Sequence, residues 1–70
     1  MRTIVFHLTH TDHYGNLHTE TRHWQEREHS VQKLLDIMLR KDRLHRPRLV
    51  NKRYELDRTV YHYHAELSDD

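Results

Sequence analysis

Seventy residues with twelve Lys or Arg, eleven Asp or Glu, nine His and no Cys support one small domain, near the size at which a single core folds unaided. The missing cysteine excludes disulfide staples and thiolate metal sites. The longest apolar run, Ile4-Val5-Phe6, is far too short for a membrane span or a secretory signal core, so a cytoplasmic protein with no membrane partner is expected. Charged residues at 33% against 34% hydrophobic raise the question of disorder, but a net charge of only +1 and periodic apolar positions argue for a folded chain.

Thr3 to His10 sets Ile4, Phe6 and Leu8 on one side and Val5, His7 and Thr9 on the other, the alternation of a half-buried strand. Asp12 to Asn16 reads as a turn, with Gly15 at the positive-φ position and Asp12 and Asn16 as local acceptors. Leu17 to Trp24 returns as the second strand of a hairpin. Loop parity decides its facing, because a one-residue slip turns every side chain over. An even loop pairs Leu8 with Thr19 and Phe6 with Thr21. An odd loop sets Glu20 and Arg22 beside the apolar side of the first strand, so the even register is expected.

Ser30 to Leu44 is strongly amphipathic. Val31, Leu34, Leu35, Ile37, Met38, Leu39 and Leu44 fill a wide helical arc, opposite Gln32, Lys33, Asp36, Arg40 and Arg43, and the breadth of the arc suggests contact with more than one surface. Ser30 suits the N-cap; a start near Glu26 competes with it. Arg46 precedes Pro47, so the helix should stop by about His45. Leu49 to Leu56 and Thr59 to Leu67 then read as a second hairpin reversing near Asp57-Arg58, with a reversal near Asn51-Lys52 or one long bent strand as alternatives. The expected fold is α+β: a ββαββ chain with one helix packed on one face of a four-stranded antiparallel sheet. It forms a single domain over 1–67 with a frayed acidic tail at 68–70. Ile4, Phe6, Leu8, Val31, Leu34, Leu35, Met38 and Tyr61 or Tyr63 are its expected core.

Nine histidines invite a metal hypothesis, and His10, His13 and His18 surround one loop beside Asp12. No ligand spacing of a known metal motif is present, so histidine reads as surface composition, and no metal or cofactor is expected. Full protonation would carry the formal charge from +1 to +10, so mild acid should alter solubility or association. His62 and His64 share a strand face, which His7 and His18 could join. Charge is uneven as well: residues 40–58 hold eight cations against Asp42, Glu55 and Asp57, a net +5.

Catalysis finds little footing. Ser30 reads as a cap, the glutamates form no visible acid/base pair, and one glycine makes no phosphate-cradling loop. The expected function is therefore a small non-catalytic interaction module that self-associates as a homodimer. Val5, His7, Trp24, His62 and His64 are its partner-binding residues, on a sheet face that no second helix in the chain can cover. The alternative is a nucleic-acid-binding regulator using Arg40, Arg43, Arg46, Arg48 and Arg53, whose forks suit phosphate, with Trp24 adding stacking if it lies on the open face.

Overall fold

The computed structural model describes residues 2–25 and 31–68; the Ser30 cap, the competing start at Glu26 and the tail residues Asp69 and Asp70 lie outside them. The elements are β1 (Thr3–Thr11), β2 (Leu17–Gln25), α1 (Val31–Asp42), β3 (Leu44–Tyr54) and β4 (Arg58–Leu67). The strands form one sheet in the order β2-β1-β4-β3, with α1 packed on one face. No helix among the described residues is long and apolar enough to cross a membrane.

The ββαββ order is as the sequence indicates, but the sheet is mixed. The two hairpins are antiparallel, whereas β1 and β4 pair parallel at the centre. The cause is which strand of the second hairpin takes the interior slot. An interior strand buries both faces, and β4 can do so with Val60, Tyr61, Tyr63 and Ala65. β3 carries Arg46, Pro47, Arg48, Lys52 and Arg53, which suit only an edge. α1 returns the chain across the sheet, so β3 runs in the direction of β2 along the far edge. β4 then folds back beside β1, pointing the same way.

Phe6, Leu8, Leu34 and Met38 are the most deeply buried large side chains, joined by Ile4, Leu35, Leu39, Leu44 and Ala65. Trp24, Val31, Tyr61, Tyr63 and Leu67 pack around them. Phe6 stacks on Tyr61 (ring centroids 5.2 Å apart) and Tyr63 (5.8 Å) and meets Trp24 edge-on (5.9 Å). The expected core residues are all in this cluster. Val5, Thr9 and Val60 face away from α1 yet are also buried, because β1 and β4 are interior strands whose neighbours cover them.

The first hairpin takes the odd register, not the even one. Thr11 pairs with Leu17 across a five-residue loop, placing Glu20 opposite Leu8, Arg22 opposite Phe6 and Trp24 opposite Ile4. Two effects outweigh the apparent mismatch. Trp24 comes onto the core side, and Glu20 at the rim binds both Arg22 (2.9 Å) and Lys41 at the end of α1 (3.2 Å). Asp12 sets the loop length: its Oδ1 accepts from the Tyr14 and Asn16 amides (both 2.9 Å) and its Oδ2 from His18 Nε2 (2.8 Å). The His18 contact and those two amides hold the Asp12 carboxyl down at about 2. Gly15, at φ 84, supplies the left-handed residue.

α1 ends at Asp42, and β3 begins at Leu44 rather than at Leu49, so a single residue joins helix to strand. That residue, Arg43, is left-handed at φ 53, and its carbonyl accepts from the Ser68 amide (2.9 Å). Leu44, assigned by periodicity to the helical arc, enters the core from the strand instead. Pro47 fits inside β3 because the β3–β4 pairing is broken between His45 and Arg48, where Arg46 also adopts φ 53. The second reversal is a tight turn over Leu56 and Asp57, closed by Glu55 N donating to Arg58 O (2.8 Å). Arg2 clamps it, donating to Thr59 Oγ1 and to Glu55 O (both 2.8 Å).

Candidate functional site

The outer edge of β3 is where chemistry and exposure coincide. Over eleven residues β3 holds four cations and no carboxylate, and every residue after His45 is exposed. Pairing with β4 divides its side chains between two faces. Arg48, Asn51 and Arg53 stand opposite His64, His62 and Val60 on the face away from α1, while Leu49 and Lys52 stand opposite Tyr63 and Tyr61 on the helix side. Lys52 Nζ lies 4.9 Å from the Tyr54 ring centroid and 5.1 Å from that of Tyr61. Contact with the Tyr54 side chain, then the electrostatics of Tyr61 and Tyr54, raises the Lys52 ammonium above its ordinary value.

The backbone of this edge is open. Glu55 and Arg58 bond directly across the turn, so antiparallel alternation makes Arg53–Val60 and Asn51–His62 the next bonded pairs. Lys52 and Tyr54 consequently aim their N–H and C=O groups outward, and no backbone partner meets them among the described residues. Exposed apolar groups gather alongside: Leu49 is 46% exposed, Val50 55% and Tyr54 71%.

The cations differ in what they touch. Arg22 and Lys41 share Glu20, and Arg53 (3.3 Å) and Arg58 share Glu55. Arg58 first, and then the charges of Arg58 and Arg53, lower the Glu55 carboxyl. Among the described residues, Arg40, Arg43, Arg46 and Arg48 contact no carboxylate within ion-pair distance. Arg43 and Arg46 hold left-handed backbone that costs a non-glycine residue about 1–3 kcal/mol. Of the proposed nucleic-acid set, Arg40 and Arg43 thus sit at the end of α1, Arg46 and Arg48 follow along β3, and Arg53 lies at its far end.

The proposed partner-binding set is only partly assembled. Val5, His7, His62 and His64 share the face away from α1, by the register of β1 with β4. Trp24 is on the opposite face against Phe6, which removes both its stacking role on the open face and its share in a dimer patch. Val5, at 4% exposed, offers little to a partner either. His18, which alternation could have set beside these histidines, instead stacks on His10 on the helix side (4.9 Å). No group of three or more His, Asp or Glu among the described residues is placed to hold a metal ion.

The open edge of β3 was missed by sequence reasoning, although Pro47 and four cations inside a strand-like run were a signal for it. Comparison with protein-family models, with curated proteins and with solved structures finds no match for this chain.

Proposed function

We propose that the protein is a non-catalytic interaction module whose β3 edge takes up an extended, acidic segment of another protein as a fifth strand. The observation that carries this reading is the juxtaposition on one edge of outward backbone groups at Lys52 and Tyr54 with Arg46, Arg48, Lys52 and Arg53 and no carboxylate within the strand. Main-chain bonds give such a strand its affinity, and side chains on alternate faces give selectivity. Arg48 and Arg53 meet its carboxylates on one face and Lys52 on the other. Leu49, Val50 and Tyr54 offer apolar contact between them.

The alternative, nucleic-acid binding, draws on a different observation: among the described residues, Arg40, Arg43, Arg46 and Arg48 meet no carboxylate around the junction of α1 and β3. Such contact would be largely independent of base sequence. One titration separates the two readings, using a labelled acidic β-branched peptide and labelled single- and double-stranded oligonucleotides at two salt concentrations. The peptide reading expects saturable peptide binding, slowed exchange at the Lys52 and Tyr54 amides, and loss of both in Arg48→Glu/Arg53→Glu and in Tyr54→Pro. The last variant removes an outward N–H without touching the ladder to β4. Oligonucleotide binding that leaves those two amides unchanged and weakens in Arg43→Ala/Arg46→Ala would replace it with the alternative.

A further inference from the structure

The face of the sheet turned away from α1 carries a second concentration of nitrogen donors. His7 and His62 are register partners on β1 and β4, their rings edge-to-face with centroids 6.3 Å apart. They sit in a shallow hollow of about 340 Å³ lined also by Thr9, Leu17, Thr19, Asn51, Arg53 and Val60. Buried Thr9 and Val60 make its floor, and side chains from the edge strands β2 and β3 make its walls. His7 Nδ1 lies 2.8 Å from Thr21 Oγ1, which fixes the ring and leaves Nε2 for a ligand. His64 Nδ1 is 2.7 Å from Thr9 Oγ1.

Charged and titratable groups face this pair from every neighbouring strand. β2 contributes His23, β3 contributes Arg48 and Arg53, and β4 contributes His64. The acids are Glu66, which alternates onto this face at the far end of β4, and Glu55 in the turn. Burial, then His62, Arg53 and His23, lowers the His7 pKa, so near neutral pH the imidazole is uncharged. Glu55 does not hold Arg53 exclusively, since Arg58 binds the same carboxylate. Arg53 can turn to a ligand without leaving Glu55 unpaired.

We propose that this hollow binds a phosphomonoester, with the phosphate on Arg53, Asn51 and the His7–His62 pair and its organic group toward Leu17. Donor supply favours phosphate over carboxylate. A guanidinium fork, an amide and two imidazoles exceed what two carboxylate oxygens accept, and they suit three phosphate oxygens. The arriving anion reverses the balance at His7: the charge that opposes protonation in the free protein is compensated, so binding near neutral pH takes up a proton. Protonated His7 then donates from both nitrogens.

Phenyl phosphate is the probe. Its binding near pH 7 is followed by calorimetry in buffers of different ionisation enthalpy and by NMR of the histidine ring protons. The expected result is saturable binding with net proton uptake, shifts centred on His7 and His62, and a His7 pKa that rises in the complex. His62→Gln and His7→Gln should each weaken binding about tenfold or more, while Lys52→Gln, on the other face of β3, should change it by less than about twofold. Heteronuclear spectra of each variant confirm that the sheet is intact. Absence of histidine shifts at saturating phenyl phosphate would overturn the proposal, as would shifts confined to Arg43, Arg46 and Arg48 or binding unaltered in both histidine variants.

Discussion

Phe6→Leu is the sharpest test of how this small domain holds together. Phe6 is fully buried and touches three aromatic rings, those of Tyr61, Tyr63 and Trp24. Leucine keeps most of the buried area but forfeits the ring pairs, each worth about 0.5–1.5 kcal/mol beyond burial, and leaves a small void. One ring serves all three pairs, so their contributions do not simply add, and a loss of about 2–3 kcal/mol is expected. At about 0.05–0.15 kcal/mol per residue, a domain of this length has roughly 4–10 kcal/mol in all. The substitution should thus remove about a fifth or more of the stability without unfolding the protein.

Urea titration followed both by Trp24 emission and by far-ultraviolet circular dichroism measures this loss. Trp24 is the only tryptophan and lies edge-on to Phe6, so its emission reports the same contact. The midpoint should fall with the slope unchanged, since the folded and unfolded surfaces are nearly the same. A double-mutant cycle with Trp24→Leu should return a coupling of about 0.5–1.5 kcal/mol. A loss below about 0.5 kcal/mol with Trp24 emission unaltered would refute the odd register, because the even register turns Trp24 to the other face.

Leu35→Ala, at a side chain 3% exposed, should cost about 2–5 kcal/mol in the same titration, and Ile37→Ala on the exposed side of α1 much less. Gly15→Ala meets no atom within 4 Å, yet φ there is 84, so thermal unfolding should register a loss of about 1 kcal/mol from backbone strain alone. The Glu20 and Asp42 carboxyls shift in opposite directions: hydrogen bonding to Asp42, then to Arg22 and Lys41, pulls Glu20 down to about 2, while the bond to Glu20, burial and the Glu20 charge raise Asp42. A raised carboxyl stabilises the fold below its unfolded pKa and loses that contribution as pH rises through the folded one. Asp42→Asn keeps a donor toward Glu20 without the second charge. It should therefore unfold at a higher temperature than wild type at neutral pH, the difference shrinking toward the lower end of the carboxylate range.

The elements and core were legible because they follow from local periodicity: Ile4, Phe6 and Leu8 in β1, and Leu34, Leu35 and Met38 in α1. What was not legible depended on long-range choices. The loop parity rests on Asp12 and on the burial of Trp24 against Phe6, contacts that residue alternation does not reveal. The parallel centre rests on β4 outcompeting β3 for the interior, and the start of β3 at Leu44 rests on Arg43 accepting a conformation usually given to glycine. As for the site, the arginine-rich segment was visible as composition, but its open backbone was not, since sequence carries no strand order. The patch expected to serve a dimer was misplaced for the same reason, since Val5 is buried and Trp24 packs, partly buried, against the core on the helix side.

Two open edges leave this sheet exposed to pairing with itself, and the charges along them distinguish the outcomes. β2 balances Glu20 against Arg22, whereas β3 holds four cations and no acid. Joining β3 to β3 would set eight cations in register, and like charges facing across a ladder are destabilising. Joining β2 to β3 is less repulsive, but it is a head-to-tail contact, which builds rings or filaments rather than a closed pair. Pro47, the pairing breaks beside it and the cations of β3 oppose both. None of these features repels a strand that brings carboxylates and is free to leave out the residues facing Pro47. The devices that keep copies of the chain apart are the ones that select an acidic partner, so selectivity on this edge arises from what it repels as much as from what it binds.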